Sequence, residues 1–162
     1  MIARQEGKGE LEDRYVALLR GINVGGKNIL PMKDLVALFS DTGCADPRSY
    51  IQSGNVIFRA QPSVASRLPT VIVNAIADRF GFNAAVVLRS AEELRSVVKE
   101  NPFIQAGVPF EALHIVFLRD IPSAAQIAAL DPDRSLPDEF VVRNQRLCSA
   151  EHKMWLLKQM KA

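Results

Sequence analysis

The stretch SYIQSGNVIFRA, residues 49–60, constrains the fold of this 162-residue chain more than any other segment. Two β-rich runs flank a turn that contains Ser53, Gly54 and Asn55, and this is the pattern of a tight β-hairpin. The strands of a hairpin pair antiparallel, so the sheet that contains them cannot be wholly parallel. The remaining elements therefore have to be arranged around an antiparallel sheet.

Apolar periodicity predicts the neighbours of this hairpin. A strand at residues 15–19 and a helix that opens with Pro31 and stops near Gly43 precede the hairpin. A second helix follows it, with apolar residues from Val64 to Phe80, Pro69 near its first turn and Gly81 beyond its end. A strand at residues 84–88 comes last. The order strand, helix, strand, strand, helix, strand is that of a ferredoxin-like unit.

A capping box, Ser90 to Glu93, predicts a short helix with Leu94, Val97 and Val98 facing inward. The pattern then begins again, with a strand at 114–118, a helix at 123–130, a hairpin at 139–142 and 146–149, and a helical composition at 152–161. "VALLRG" and "IVFLRD" place Arg20 and Arg119 in equivalent positions. The sequence thus predicts an α+β protein of two ferredoxin-like (βαββαβ) halves in tandem, the second abbreviated. We expect a flexible tail at 1–13, a first half at 14–104 and a shortened half at 105–162, in one compact unit.

Composition limits the classes of partner. Hydrophobic residues make up 48% of the chain, which is enough for a real core, and the formal net charge is only +2. No segment concentrates basic residues as duplex-binding proteins do, so we expect no binding of duplex nucleic acid. A basic patch assembled in three dimensions stays open. No apolar run reaches the roughly 20 residues of a membrane helix, and no signal peptide precedes the first strand, so the sequence predicts a cytoplasmic protein.

Few side chains suggest catalysis. Cys44 and Cys148 are expected to be reduced, partly buried thiols, and His114 and His152 have no partners at metal spacing. We therefore predict no metal site, and the sequence indicates neither a cofactor nor a catalytic residue.

The rings of Tyr50, Phe58 and Phe117 lie on predicted strands. Aromatic side chains on a sheet of this topology can stack on RNA bases. However, "NVIFRA" does not match the Gly- and aromatic-rich strand of that fold, and core packing is the preferred interpretation of all three rings.

The loop GINVGGKN, residues 21–28, resembles a phosphate-binding loop, because glycines free backbone N–H groups and Lys27 could contact phosphate. Asn28 replaces the Ser or Thr that such a loop needs. Ile29, Leu30 and Pro31 also separate Lys27 from the next helix, and a hairpin sheet is unlike that of a nucleotide hydrolase. A nucleotide-hydrolase function is therefore disfavoured.

Topology nevertheless predicts a binding site. In a ferredoxin-like unit the first two strands are parallel, so the 21–28 loop and the 52–55 turn lie at the same end of the sheet. The predicted ligand-binding residues are Arg20, Gly21, Asn23, Gly25, Gly26, Lys27, Ser53, Gly54 and Asn55. They suit a small anionic or nucleotide-like ligand and include no general base. The alternative is a structural or protein-interaction module in which both loops are only tight turns, and an enzyme of unknown reaction is a third class.

Three motifs, "YVALLRGINVGGKNILPMKDL", "YIQSGNVIF" and "NPF", resemble in order and spacing the domain-of-unknown-function 1697 family. The resemblance implies a bacterial-type cytosolic protein with two ferredoxin-like halves and implies no particular activity. Its recurrent residues fall on the same two loops. Relatives typically continue through a Ser-Lys helix and a Thr-x-Arg-Asn-Trp stretch, of which "HKMWLLKQM" is at best a remnant. We therefore expect an incomplete second half whose unpaired strand edge could favour self-association.

Overall fold

A computed structural model describes residues 12–50, 54–130 and 139–150. The chain divides into two compact units, Met1–Leu94 and Arg95–Ala162. It is a mixed α/β protein with two antiparallel sheets, one of four strands and one of three among the described residues. No helix in those ranges is long and apolar enough to cross a membrane.

The first unit has the predicted element order. Its elements are β1 (Asp13–Arg20), α1 (Met32–Asp41), β2 (Ala45–Tyr50), β3 (Asn55–Ala60), α2 (Pro62–Phe80) and β4 (Ala85–Ser90). The strands lie in the order β2-β3-β1-β4, and all three neighbouring pairs are antiparallel. Because β1 and β2 both pair antiparallel with β3, they run in the same direction, and both end at the edge of the sheet where β3 begins.

One face of this sheet packs against the helices. Ala17 and Leu19 of β1, together with Val56 and Phe58 of β3, are buried in the core. Side chains alternate between the faces of a strand, so the intervening residues of β1 and β3 point away from the core. The helices contribute the other side of the same core through Leu35, Leu38, Phe39, Leu68, Ile72 and Ile76.

Two details of the first unit differ from the prediction. Helix α2 begins at Pro62, so Pro69 lies inside the helix rather than near its first turn. Proline at the first helical position loses no hydrogen bond, and this explains the earlier start. Pro31 is the N-cap of α1, not its first helical residue, and has extended backbone with ψ of 133°.

The capping box of Ser90 and Glu93 is confirmed, since the Ser90 N–H donates to the Glu93 carboxylate at 2.6 Å and the Glu93 N–H donates to Ser90 Oγ at 3.1 Å. It starts α3 (Ala91–Lys99). Val97 is buried as predicted, but the prediction for Val98 is wrong because 51% of this residue is exposed. Adjacent helical residues point about 100° apart, so only one of the two valines lies on the inward face.

The second unit holds shorter elements. They are α4 (Pro102–Gln105), β5 (Leu113–Phe117), α5 (Ala124–Ala128), β6 (Glu139–Arg143) and β7 (Arg146–Ala150), with sheet order β5-β7-β6. The predicted hairpin around Asn144 is formed by β6 and β7, and Asn144 has a positive φ of 51°. Residues 1–11 of the predicted tail and the predicted helical segment at 152–161 lie outside the described residues.

Candidate functional site

The loop after β1 is anchored in the core at both ends. Ile22 is 3% exposed and Leu30 is fully buried, and both belong to the core cluster beneath the sheet. Gly21 lets the chain turn off the strand, with φ of +83°. The loop is therefore a fixed extension of the fold, because moving either anchor would expose apolar surface to water.

Asn23 holds the two sides of the loop together. Its Nδ2 donates to the Leu30 carbonyl at 2.8 Å, and its Oδ1 accepts from the Leu30 N–H at 2.8 Å. These bonds satisfy both backbone groups of a buried residue. Asn23 has φ of 54°, a conformation that asparagine tolerates better than most residues.

The tip of the loop is a miniature hairpin. Val24 and Lys27 form an antiparallel bridge, and the Lys27 N–H donates to the Val24 carbonyl at 3.1 Å. The two residues between them, Gly25 and Gly26, have φ of 59° and 73°. Positive φ at both central residues is the requirement of a type I′ turn, which explains the glycine pair. No hydrogen bond to either glycine N–H is formed by the described residues.

A second asparagine braces the base of the loop. Asn28 Nδ2 donates to the Gly21 carbonyl at 2.7 Å, and the Asn28 carbonyl accepts from the Asn23 N–H at 3.1 Å. The side chain of Asn28, which occupies the position of a metal-binding Ser or Thr in a phosphate-binding loop, is thus used within the loop.

Two cations of the predicted site are exposed. Arg20 is the last residue of β1, and Lys27 follows the glycine pair at the tip. Neither side chain has a hydrogen bond or ion pair with the part of the chain that the structure describes. Both remain available to an external anion.

Gly54 lies against the base of the loop. Its carbonyl accepts from the Leu19 N–H at 3.2 Å, and its φ is +85°. A Cβ added to Gly54 would lie only 2.7 Å from Ile22 Cδ1 and 3.2 Å from Leu19 Cβ. Asn55 follows as the first residue of β3 and pairs with Leu18 and Tyr50. Gln52 and Ser53 lie outside the described residues.

The structure thus joins the base of the loop to Gly54, while the glycine pair and Lys27 stand at its exposed tip. A phosphate-binding loop of the hydrolase type is not formed. The next helix, α1, begins at Met32, and its N-cap Pro31 makes no side-chain capping bond. Lys27 therefore lies outside the first helical turn, where the helix dipole would strengthen anion binding.

The two cysteines are the other candidate nucleophiles among the described residues. Both cysteines are free and buried. Burial raises the pKa of the Cys44 thiol, and contact with the Thr42 hydroxyl opposes this only in part. Burial also raises the pKa of Cys148, against the influence of Arg146 and Arg143. Neither thiol is activated as a nucleophile. Within the described ranges no group of three His, Cys, Asp or Glu residues is placed to hold a metal ion.

Sequence reasoning missed the anchoring role of the residues that fix the loop. Ile22 and Leu30 carry no distinguishing signal, since Val24 and Ile29 are apolar residues of the same segment and are exposed. By contrast, Asn23 and Asn28 frame a glycine turn, and asparagine is typical of positive-φ positions. The interpretation of Tyr50 as a core residue is wrong, because the residue is 61% exposed. Phe58, by contrast, is 1% exposed and packs against Tyr15 and Phe39.

A four-stranded antiparallel sheet with a braced glycine loop at one end defines a class of α/β protein rather than an activity. The chain belongs to the family described as "Protein of unknown function (DUF1697)", which it matches over residues 13–147. Its structure is similar to that of the conserved bacterial protein SP0830 from Streptococcus pneumoniae, with a TM-score of 0.72 and 21% sequence identity over 92% of this chain and 82% of that one. No curated protein matches the sequence.

Proposed function

We propose that the protein is a cytosolic binding module for a small anionic or nucleotide-like ligand, held at the 21–28 loop and the 52–55 turn. The observation that carries this proposal is the glycine pair: two successive N–H groups without partners among the described residues stand beside the exposed Lys27. Consecutive backbone amides at a turn form a concave site for anions.

Rigidity supports the same function. The Leu30 backbone is tied to Asn23, and Ile22 is packed against Gly54. A loop that is already held in one conformation loses little conformational entropy on binding, so a small ligand can be bound by few contacts. Arg20, at the end of β1, would supply a second positive charge on the side of the turn.

A specific observation favours the alternative, a protein-interaction module. Val24 is 70% exposed and Ile29 is 60% exposed, so the loop presents two apolar side chains to solvent. The type I′ turn also accounts for both glycines without any ligand. In this function the tip of the loop would insert into an apolar depression of a partner protein, and Lys27 would contribute little.

A thermal-shift titration with phosphate, pyrophosphate and ATP, with and without Mg²⁺, separates the two functions. A ligand at 100 times its dissociation constant adds about 2.7 kcal/mol to the free energy of unfolding. If Lys27→Ala weakens binding tenfold, the same ligand concentration adds only about 1.4 kcal/mol, and a hundredfold loss in the Arg20→Ala, Lys27→Ala double variant leaves about 0.4 kcal/mol.

Lys33→Ala is the matched control, because Lys33 is an exposed lysine on α1, outside the loop. If the ligand stabilised all variants equally, this would contradict the proposed anion-binding function. Stabilisation by no ligand, together with loss of a protein partner in Val24→Ser, would favour the interaction module.

We further infer that the two units are ferredoxin-like halves and that the second is abbreviated. The order β5-β7-β6 corresponds to β1-β3-β2 in the first sheet, with a helix after the first strand in each case. Superposition of the two halves in an experimental structure tests this inference. A helix α5 on the opposite face of its sheet from that of α1 would contradict it.

A further inference from the structure

The first sheet has a second face, on which basic residues from three strands meet. Directly paired residues of neighbouring strands share a face. Leu18 and Val16 alternate with the buried Ala17 and Leu19, so they mark the face away from the helices. We call this the open face. On β1, β2 and β3 it carries Arg14, Val16, Leu18, Arg20, Ala45, Arg48, Tyr50, Asn55, Ile57 and Arg59.

All the charged residues at the strand-paired positions of the open face are positive. Arg14, Arg20, Arg48 and Arg59 are all exposed, and no carboxylate occupies a position on β1, β2 or β3 of this face. Two carboxylates approach one corner of it, where Asp46 contacts Arg59 at 2.6 Å and Glu12 lies 4.0 Å from the same side chain. The other three arginines have no ion pair with described residues.

Arg14 and Arg59 are directly opposite each other on β1 and β3. Like charges at directly opposed positions destabilise a sheet, and Asp46 and Glu12 offset only the charge of Arg59. Arg14 has no ion pair among the described residues, so an external anion could pair with it. Arg14 and Arg20 are six residues apart along one strand, or about 20 Å, and this distance suits an extended ligand better than a single phosphate group.

One aromatic ring lies at the edge of the open face, beside an apolar residue and a cation. Tyr50, 61% exposed, is the last residue of the edge strand β2, and Ile57, 40% exposed, lies on the neighbouring strand β3. Arg48 is two residues before Tyr50 and is paired with Ile57, so it shares this face with the ring. An exposed ring beside a cation on a sheet surface offers a base a stacking plane and its phosphate a charged contact.

We propose that the open face binds single-stranded nucleic acid. The arginines contact the phosphates, and Tyr50 stacks on a base. A duplex is excluded as the preferred ligand because its bases are stacked on one another and unavailable to a flat aromatic surface. An acidic protein segment would use the arginines but would gain less from the tyrosine ring. This inference goes beyond the loop site, since it depends on Arg48 and Tyr50 and not on Lys27.

Fluorescence anisotropy with a 5′-labelled, mixed-sequence 12-nucleotide RNA tests the proposal on the full chain. Tyr50→Ala is expected to weaken binding about tenfold, whereas Tyr50→Phe keeps the ring and stays near wild type. Arg48→Ala is expected to weaken binding several-fold and to reduce the slope of log K against log salt by about 0.7. Thermal unfolding of each variant verifies that the sheet is intact.

Arg67→Ala is the matched control, because Arg67 is an exposed arginine on α2, and helix α2 packs on the other face of the sheet. Its affinity should equal that of wild type. Equal affinity for a duplex of the same sequence or for a 12-residue Asp-Glu peptide would overturn the proposal, as would an absence of RNA binding or equal binding by Tyr50→Ala. Because pyrophosphate and Lys27 are not involved, failure of the loop site leaves this result unaffected.

Discussion

Gly54 and Ile22 are packed so closely that a single methyl group on the glycine would lie 2.7 Å from Ile22 Cδ1. The contact is between the side chain of Ile22, in the glycine loop, and the backbone of Gly54, the residue before β3. The base of the loop and the residue before β3 are therefore held against each other.

Gly54→Ala is expected to destabilise the protein by about 2–5 kcal/mol. A left-handed backbone costs an alanine about 1–2 kcal/mol, and overpacking adds about 1–3 kcal/mol. Gly25→Ala is the control: Gly25 also has a positive φ, of 59°, but has no atom within 4 Å of an added Cβ. It should cost only about 1–2 kcal/mol in urea unfolding.

Ile22→Val separates backbone strain from steric overlap, because it removes the closest carbon, Cδ1. In the Gly54→Ala background the valine should recover part of the lost stability, whereas alone it costs about 0.5–1.5 kcal/mol. Purely additive effects of the two substitutions would show that the contact does not restrict this position.

Asn23→Ala should destabilise the fold by about 2–3 kcal/mol. The substitution leaves the N–H and carbonyl of Leu30, a fully buried residue, without their partners. Asn28 has a similar positive φ, of 52°, so Asn28→Ala carries a similar backbone cost, but the bond it breaks to Gly21 is exposed and water can replace it. It should therefore destabilise the fold by at least about 1 kcal/mol less than Asn23→Ala. Comparable losses for the two variants in urea unfolding would contradict the assigned role of Asn23.

Glu100→Ala should cost about 1–2 kcal/mol, because it removes the ion-pair partner of the Arg146 guanidinium. The Arg146 side chain is 11% exposed and that of Glu100 is 52% exposed, so the arginine loses a charged partner that water replaces only in part. Glu111→Ala, an exposed change in the same unit, should stay within about 0.5 kcal/mol. Thermal unfolding of both variants in 1 M NaCl checks the assignment, since a fully exposed pair would be screened.

Cys44 and Cys148 should react slowly with iodoacetamide in the folded protein and rapidly in urea. Burial raises both thiol pKa values above the ordinary value of 9.0. Above that pH the thiols of the unfolded chain lose protons that those of the folded chain keep. The free energy of unfolding therefore falls as the pH rises. Cys44→Ala should flatten this loss above about pH 9. Fast alkylation at pH 7 would contradict the burial of the thiols.

Local patterns predicted most of the elements of the first unit. The hairpin turn, the glycine after α2 and the Ser90–Glu93 capping box are signals within a few residues, and each depends on backbone groups close in sequence. The predicted inward position of Val98 is wrong because no signal within a few residues determines it. An apolar residue beside Val97 gives no local indication of which of the two faces the core.

The open face could not be found from the sequence because its cations are distant from one another along the chain. Arg14, Arg48 and Arg59 belong to three strands, and only the register of β1, β2 and β3 brings them together. The same register determines that Tyr50 points away from the core. By contrast, Lys27 and the glycine pair are adjacent in sequence, so the loop was recognisable, although its internal asparagine bonds were not.

The most direct test of the proposed anion site is a titration of the ¹⁵N-labelled protein with pyrophosphate, followed through the backbone amide resonances. We expect that the Gly25 and Gly26 amides shift most, that Lys27→Ala weakens this response about tenfold, and that Lys33→Ala leaves it unchanged. Saturating shifts confined to other parts of the chain, or no shifts at all, would contradict the assignment of the glycine loop as the site of anion binding.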